Sequence, residues 1–478
     1  MLTKEQQEVV NIDFKDILLV NAYAGTGKTS TLIEFCKKRK DKKILYLAYN
    51  NSMIKEAEKK FKMLPNVSIK TIHSLAYNVF GSSNKERLGN LTSKDIQEYF
   101  NDDNALYNAS STLSLLKDFC NSGDSITAFC QKLLSEKIEI KNKRLDKAYL
   151  APKLKEIWNK IIAKDSKIAY PHDFYLKEYQ LSKPKLDYDF ILIDEAQDIN
   201  ECIIDIVLAQ KAKKVFIGDT YQSIYAFRGA VDSLTKLSKL ENSITLFLTQ
   251  SFRCSLSVAN IANFYLLALG AKKPFIGTKK ELPSNTQSIA ILARNNATLF
   301  DYAINSLDKK IAWVGGIDSY NFSDLLDIQN LLFKKPDFIK NSFLKKFSDI
   351  DELLDYCDET QEIEWRGKLM IVFKYINLDI PKLIKELRDL SVPPKEADFI
   401  LTTGHKSKGL EWECVEIMDD FIDLKDIASN KKETIVAKEE LNLLYVAITR
   451  ATQTLYLNEK YLLDLDFIKT MKKWIVFE

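Results

Sequence analysis

Asp16-Ile17-Leu18-Leu19-Val20-Asn21-Ala22-Tyr23-Ala24-Gly25-Thr26-Gly27-Lys28-Thr29-Ser30 sets a short apolar run against a glycine-rich turn, and a helix is expected from Ser30. Strand, loop and helix in that order are what a triphosphate-binding loop requires. Gly25 and Gly27 allow successive backbone N–H groups to turn toward phosphate oxygens, and the helix N-terminus adds its dipole. Lys28 is placed to reach the β- and γ-phosphates, and the Thr29 hydroxyl to ligate Mg2+. The candidate ATP contacts of the loop are therefore Ala22, Tyr23, Ala24, Gly25, Thr26, Gly27, Lys28, Thr29 and Ser30. Ala22 stands where the strict pattern has its first glycine. Taken alone, the loop leaves a chance glycine-rich turn as the alternative.

A second signal weighs against that alternative. Phe190-Ile191-Leu192-Ile193 runs directly into Asp194-Glu195-Ala196-Gln197-Asp198. Carboxylates at the C-terminal end of a buried strand are where a metal ion and an attacking water can meet a bound triphosphate. Asp194 is the expected Mg2+ ligand, with Thr29, and Glu195 the expected general base. The blander reading is a helix N-terminus enriched in acids.

Working outward, short runs rich in Ile, Val, Leu and Phe recur with helical stretches between them: Ile17–Val20, Ile44–Ala48, Phe190–Ile193, Val215–Ile217 and Thr245–Leu248. Strands buried on both faces of a parallel sheet read this way. A second set follows at Ile289–Leu292, Ile311–Val314, Phe399–Thr402, Val415–Ile417 and Leu455–Leu457. The expected fold is α/β, with two parallel-sheet domains in tandem. Residues 81–165 and 317–395 break the rhythm and read as helical insertions. The expected division is 1–80 with 166–249 for the first sheet domain and 250–316 with 396–478 for the second, each interrupted by its insertion.

Bulk properties narrow the setting. At 478 residues the chain is too long for one ordinary core. A formal net charge of only +3 means that any polyanion surface must be a local groove. No apolar run at the N-terminus suits a signal peptide, and none approaches the roughly 18–20 residues of a membrane span. Cys36, Cys120, Cys130, Cys202, Cys254, Cys357 and Cys414 are scattered without a CxxC pair. That spacing argues against zinc, iron–sulfur and disulfide frameworks, and for a reducing cytoplasm.

Read together, Ala22–Thr29 and Asp194–Asp198 resemble motifs I and II of the UvrD/Rep branch of superfamily 1 helicases, where alanine at the first loop position is usual. The remaining elements stand in the family's order. Leu2-Thr3-Lys4-Glu5-Gln6 resembles the adenine-reading Q motif, Tyr46–Asn51 motif Ia, and Thr71-Ile72-His73-Ser74-Leu75 motif Ib. The segment from Gly218-Asp219-Thr220-Tyr221-Gln222 to Arg228-Gly229-Ala230 is similar to motif III, and Gln250-Ser251-Phe252-Arg253 to motif IV. Thr403–Glu411 resembles motif V and Leu444–Ala451 motif VI. Pro171-His172-Asp173-Phe174-Tyr175-Leu176-Lys177, Ile311–Gly316 with Phe322 and Leu325, and Leu441–Tyr445 resemble the F-box DNA helicase subgroup, over the motor part only.

The resemblance implies two tandem RecA-like parallel-sheet domains of the P-loop NTPase class, and an ATP-dependent single-stranded DNA translocase and 3′–5′ DNA helicase acting in repair, recombination or replication, with ATP and Mg2+ as cofactors. Gln6 is then the adenine reader and Gln222 a γ-phosphate contact. Arg253 and Arg450 are the arginine fingers, Glu411 binds the nucleotide sugar, and Lys408 lies near the γ-phosphate. Guanidinium groups suit that task because they are always charged and offer several fixed donors. Tyr49, Tyr225 and Phe227 match the family's base-stacking positions, each stack being worth roughly 1–3 kcal/mol. Asn50, His73, Arg228 and His405 are the candidate backbone contacts. Aromatic residues are more often core than base platform, and the chain has 26 Phe and 21 Tyr.

Single-stranded DNA and junctions of single with double strand are the expected partners, with no membrane. A protein partner in repair, recombination or phage defence fits the same reading. In larger relatives the region corresponding to 317–395 is a bulky mobile domain that regulates unwinding, so a short one implies reduced or altered regulation. The chain is expected to carry neither an F-box before Gln6 nor a fused nuclease after motif VI. Two rivals stand beside the helicase: a DNA-stimulated ATPase with little unwinding, and an ATP-gated scaffold without turnover.

Overall fold

Strand β1 (Ile17–Ala22) is central because it is apolar almost throughout, and its residues Ile17–Val20 are all buried. The computed structural model describes residues 2–102, 104–135, 146–225, 229–280, 288–360, 363–421 and 434–461. It divides into two units, Met1–Thr249 and Gln250–Glu478.

The first unit is built on β1, β2 (Ile44–Ala48), β3 (Val67–Thr71), β4 (Phe190–Ile193), β5 (Lys213–Gly218) and β6 (Ser243–Leu248). They form one sheet in the order β3-β2-β4-β5-β1-β6, every neighbouring pair parallel. Parallel strands need crossovers, and helices supply them on both faces. Among these are α2 (Lys28–Lys37) and α3 (Asn51–Lys60), while α1 (Lys4–Asn11) precedes β1. One apolar layer gathers Leu18, Val20, Leu32, Phe35, Tyr46 and Leu192, while Leu19, Leu45, Ile191 and Ile193 face the other layer. That division is the period-2 alternation of side chains across a strand.

Between β3 and β4 the described regular elements are helical. The longer ones are α4 (Ala105–Asn121), α5 (Ile126–Leu134), α6 (Lys147–Ile162) and α7 (His172–Leu181). Trp158 of α6 packs edge-on to Phe119 of α4 and tilted against Phe174 of α7, with centroids 5.0 and 5.3 Å away. Helix α8 (Glu201–Leu208) then leads from the end of β4 back to β5.

The second unit opens with a parallel pair, β7 (Gln250–Ser255) and β8 (Ile276–Lys279), joined through helix α9 (Leu256–Ala268). Its main sheet has the order β10-β11-β9-β12-β13, again all parallel. The strands are β9 (Ile289–Ala293), β10 (Ile311–Trp313), β11 (Phe399–Thr403), β12 (Trp412–Ile417) and β13 (Ala451–Tyr456). Between β10 and β11 the chain is again helical, with Leu325, Ile328, Ile380, Ile384 and Leu387 in a core shared with Ile291 and Leu401 of the sheet.

The expected α/β class with two tandem parallel sheets is the architecture observed. Three strands escaped the sequence reading. β3 lies at a sheet edge, half-covered and alternating, and β7 and β8 are a polar pair outside the main sheet. None has the continuous apolar run by which a doubly buried strand declares itself.

Candidate active site

The glycine loop begins where β1 stops pairing. Ala22 is fully buried and still in register with Leu248 of β6, and the Tyr23 N–H donates to the Leu248 carbonyl at 3.1 Å. The chain then turns through Gly25 (φ 70°) and Gly27 (φ 79°), left-handed conformations that a side chain disfavours. Gly27 is the N-cap of α2 and contributes no capping side chain, so no side chain of the cap residue covers the first turn of that helix, the end that favours an anion. Thr26 closes the loop on itself, its hydroxyl donating to the Tyr23 carbonyl at 2.8 Å.

Gln6 braces this loop from outside. Its amide nitrogen donates to the Thr26 carbonyl at 3.1 Å, while its oxygen and backbone are fixed by a capping box with Thr3. The predicted adenine reader therefore sits against the predicted phosphate loop. Both ends of its side-chain amide are held, the nitrogen by Thr26 and the oxygen by the Thr3 N–H at the start of α1.

Two strands away, β4 delivers the carboxylates. The Asp194 carboxylate accepts from the Tyr46 hydroxyl at 2.5 Å and from the Glu195 N–H at 2.9 Å. Asp194 is buried, and burial first, then the adjacent Glu195 charge, raises its carboxyl above the ordinary range; Lys28 and Tyr46 pull the other way. The same carboxylate and burial push the Tyr46 phenol far up, so it remains a donor. Glu195 adopts a left-handed backbone (φ 51°), a strained choice for a non-glycine residue and one that turns its side chain out of the strand line. Its carboxylate lies 3.5 Å from the Lys28 ammonium. Motifs separated by more than 160 residues thus meet above β5, which runs between β1 and β4.

β5 supplies the third piece. Gln197 is fully buried; its amide donates to Glu195 at 2.6 Å and its oxygen accepts the Asp219 N–H at 3.0 Å. Asp219 in turn accepts from the Gln222 amide at 2.8 Å and from the Tyr221 N–H at 3.1 Å. Glu195, Gln197, Asp219 and Gln222 form one hydrogen-bonded line from motif II to motif III. Gly218 is required beside it, since a Cβ there would lie 2.2 Å from the Gln197 oxygen and 2.9 Å from the Ala196 nitrogen.

The candidate strand contacts are less uniform. Tyr49 and Tyr225 lie nearly parallel, their planes 9° apart and centroids 6.4 Å apart. Asn50 has a structural task, capping α3 by accepting the Met53 N–H at 3.0 Å. His73 is edge-on to Tyr175, with its Nε2 3.6 Å from the Asp173 carboxylate, and that proximity holds the Asp173 carboxyl below its usual value. Phe227 and Arg228 lie outside the described residues.

In the second unit, Arg253 donates from Nε to Glu411 at 2.6 Å, so the predicted finger and the predicted ribose ligand are paired. Arg450 is fully engaged: Nε donates to the Val446 carbonyl (2.9 Å), and the two terminal nitrogens to the Leu410 carbonyl (3.1 Å) and the Thr449 hydroxyl (3.1 Å). The Arg450 carbonyl also accepts from the Trp412 N–H at 3.0 Å, so one arginine holds the residues on both sides of Glu411. His405 and Lys408 share the turn after β11, where the Lys408 N–H donates to the His405 carbonyl. Between them Lys406 reaches back to the Ser319 carbonyl at 2.7 Å and lies 3.5 Å over the Tyr320 ring; burial lowers its ammonium to about 8.

Tyr46 and Gln197 were not singled out from sequence, although both lie inside quoted motifs. A tyrosine in the middle of a buried strand and a glutamine two residues past the candidate general base are the signals that would have found them.

A magnesium ion fits this donor set. Buried Asp194 and half-buried Glu195 set two carboxylates beside the Lys28 ammonium, a surplus of negative charge that a divalent cation would offset. Asp194 and the Thr29 hydroxyl are the residues that would hold the ion, leaving most of an octahedral shell to phosphate and water.

Comparison with known proteins matches residues 2–240 to the UvrD/REP helicase N-terminal domain and residues 398–458 to the UvrD-like helicase C-terminal domain. The chain is 31% identical over 506 residues to F-box DNA helicase 1 of Gallus gallus and 31% identical over 518 residues to F-box DNA helicase protein 1 of Schizosaccharomyces pombe. Both alignments take in 96% of this chain but only 49% and 57% of those proteins, about half their length. ATP-dependent DNA helicase PcrA of Staphylococcus epidermidis is 31% identical over 206 residues, covering 37% of this chain and 26% of that protein.

Proposed function

The chain belongs to the UvrD/REP helicase family, and from that premise we propose that it is an ATP-dependent single-stranded DNA translocase and 3′–5′ DNA helicase. The observation that carries the reading is the line Lys28–Glu195–Gln197–Asp219–Gln222. It joins the phosphate loop, the presumptive base and the γ-phosphate contact into one hydrogen-bonded and charge-paired unit. A scaffold without turnover has no need of a strained glutamate oriented toward a lysine.

In this reading Lys28 and the α2 N-terminus hold the triphosphate, and Thr29 with Asp194 hold Mg2+, which supplies charge neutralisation at the phosphates. Glu195 orients and deprotonates the attacking water, and Gln6 reads the adenine. Arg253 and Arg450 act as arginine fingers, Glu411 binds the ribose and Lys408 lies near the γ-phosphate. For Arg253 that role begins with release from Glu411. Tyr49 and Tyr225 offer parallel faces to bases, with Phe227, and Asn50, His73, Arg228 and His405 as further strand contacts. Single-stranded DNA and its junctions with duplex are the partners, and a repair, recombination or replication setting belongs to the same proposal. The described helices include none long and apolar enough to cross a membrane.

The test is ATP hydrolysis by the full chain with and without single-stranded DNA, followed by strand displacement on duplexes carrying 3′ or 5′ tails. Stimulation by DNA, its loss in Lys28→Ala, and displacement only with a 3′ tail are expected. An unchanged rate in Lys28→Ala would sink the reading.

A further inference from the structure

The last residue of α4, Asn121, sits where three other segments converge. Its side-chain oxygen accepts from the Asn200 amide at 2.7 Å, and Asn200 is the N-cap of α8, whose own oxygen takes the Ile203 N–H at 3.0 Å. Asn200 also bridges Ala230, and the Ile199 carbonyl accepts the Val231 N–H at 3.1 Å, so the loop after motif II and the end of motif III are strapped together. Gly229 completes the contact. It has φ +82°, and a Cβ there would lie 2.3 Å from the Asn121 amide nitrogen, so only glycine admits this approach.

The end of α4 is itself immobilised, and by a costly device. Lys177 of α7 is wholly buried, yet it donates to the Ser122 carbonyl at 2.8 Å and lies 4.5 Å over the Phe119 ring. A buried cation is tolerated there because the C-terminus of a long helix presents partial negative charge, and the aromatic face adds to it. One turn further along α7, Gln180 donates to the Gly123 carbonyl at 3.0 Å and to Asp205 at 2.7 Å. Asn121 is thus a fixed post, and the segment it touches is the far end of the loop that begins at Asp219 and carries Gln222 and Tyr225.

We propose that Asn121 is a positioning residue that couples strand binding to ATP turnover, by pinning the Gly229–Ala230 end of motif III to the helical segment 81–165. This rests on the motor reading above. A loop anchored at Asp219 by Gln197 and at Gly229 by Asn121 transmits a displacement at Tyr225 to Gln222. With one anchor removed, the displacement is absorbed at the free end.

The experiment is steady-state ATPase of the full chain during titration with oligo(dT), for wild type, Asn121→Ala, Asn200→Ser, the double variant and Asn121→Asp. Serine retains the α8 cap and removes only the amide donor; aspartate retains the oxygen that accepts from Asn200. One lost hydrogen bond is expected to lower the ratio of stimulated to basal rate about fivefold in each single variant. The double variant should be no worse than either, because both remove the same bond. Basal rate and KM for ATP should stay near wild type, and Asn121→Asp should recover the ratio. Parallel loss of basal and stimulated rates, additive losses in the double variant, or an unchanged ratio overturns the proposal. If Asn121→Ala fails to fold by urea titration, Asn200→Ser carries the same decision. A wild-type chain that oligo(dT) does not stimulate at all would instead remove the motor reading, and this proposal with it.

Discussion

Gln197 offers the sharpest test of the motif II geometry. It contributes a charge-assisted donor to Glu195 at 2.6 Å and the acceptor for the Asp219 N–H at 3.0 Å, with no exposed surface. Gln197→Met keeps a similar buried volume and removes both bonds. A hydrogen bond to a charged group is worth about 1.5–3 kcal/mol, and an orphaned buried N–H costs about 1–3 kcal/mol. The orphaned Asp219 N–H acts on stability, and some 1–3 kcal/mol is expected from a urea titration. Loss of the Glu195 bond is expected to act on the reaction, because Glu195, the proposed general base, is no longer held toward its water. At 1.36 kcal/mol per tenfold, kcat should fall between about tenfold and a hundredfold. KM for ATP should move little, since the hydrogen bonds of the Gln197 side chain go to none of the residues assigned to bind ATP. The assay is DNA-saturated ATP hydrolysis at fixed temperature. A kcat within about twofold of wild type in a folded Gln197→Met protein would refute the orienting role, whatever happens to stability.

Arg450 donates to two carbonyls and a hydroxyl at once, so Arg450→Lys should cost about 2–4 kcal/mol of stability by leaving buried acceptors unmet; a urea titration reads this directly. Glu411→Ala removes an ion pair whose glutamate is 55% exposed, so stability should change by no more than about 1 kcal/mol, and a loss above about twice that would make the pair structural. Gly218→Ala forces a methyl toward the Gln197 oxygen, and about 1–3 kcal/mol of destabilisation is expected, with kcat falling as in Gln197→Met. Lys406 has its folded-state ammonium lowered by burial to about 8 from 10.5, so the unfolded chain binds more protons between those values and stability should rise with pH across that window. Urea midpoints measured over that window should flatten in Lys406→Met; an unchanged slope would show that Lys406 is not the titrating group.

The sheets were legible because parallel strands covered on both faces must be apolar without interruption, as Ile44–Ala48 and Phe190–Ile193 are. The phosphate loop was legible because a positive φ leaves glycine at Gly25 and Gly27 and because lysine follows directly. The edge strand Val67–Thr71 was not, since three of its five residues are only partly covered and Lys70 is exposed, and any surface loop can carry the same letters. Gln197, Tyr46 and Asn121 were not for a different reason. Each acts through a partner 22 to 148 positions away, as in Gln197 with Asp219 and Tyr46 with Asp194, and only the strand order brings those partners together. The second unit shows the converse. The motif around Arg450 was readable, but the same guanidinium that the family pattern assigns to nucleotide is committed to Val446, Leu410 and Thr449.

The loop's departure from the strict glycine pattern has a local cause. Ala22 is the last residue of β1, its backbone still in ladder register with Leu248 and its methyl wholly buried. A residue there needs extended backbone, which alanine adopts without strain and glycine adopts only at an added entropic cost. The reversal that exposes N–H groups to phosphate begins later, and there the chain does use glycine, at positions 25 and 27. Because Ala22 remains in the strand, Tyr23 can turn inward, 1% exposed, to meet Tyr221 with ring centroids 6.0 Å apart. That contact lays the base of the phosphate loop on the residue next to Gln222. The strand ending that dispenses with the first glycine is thus the one that lets motif I and motif III share a wall, independently of the polar line through Gln197.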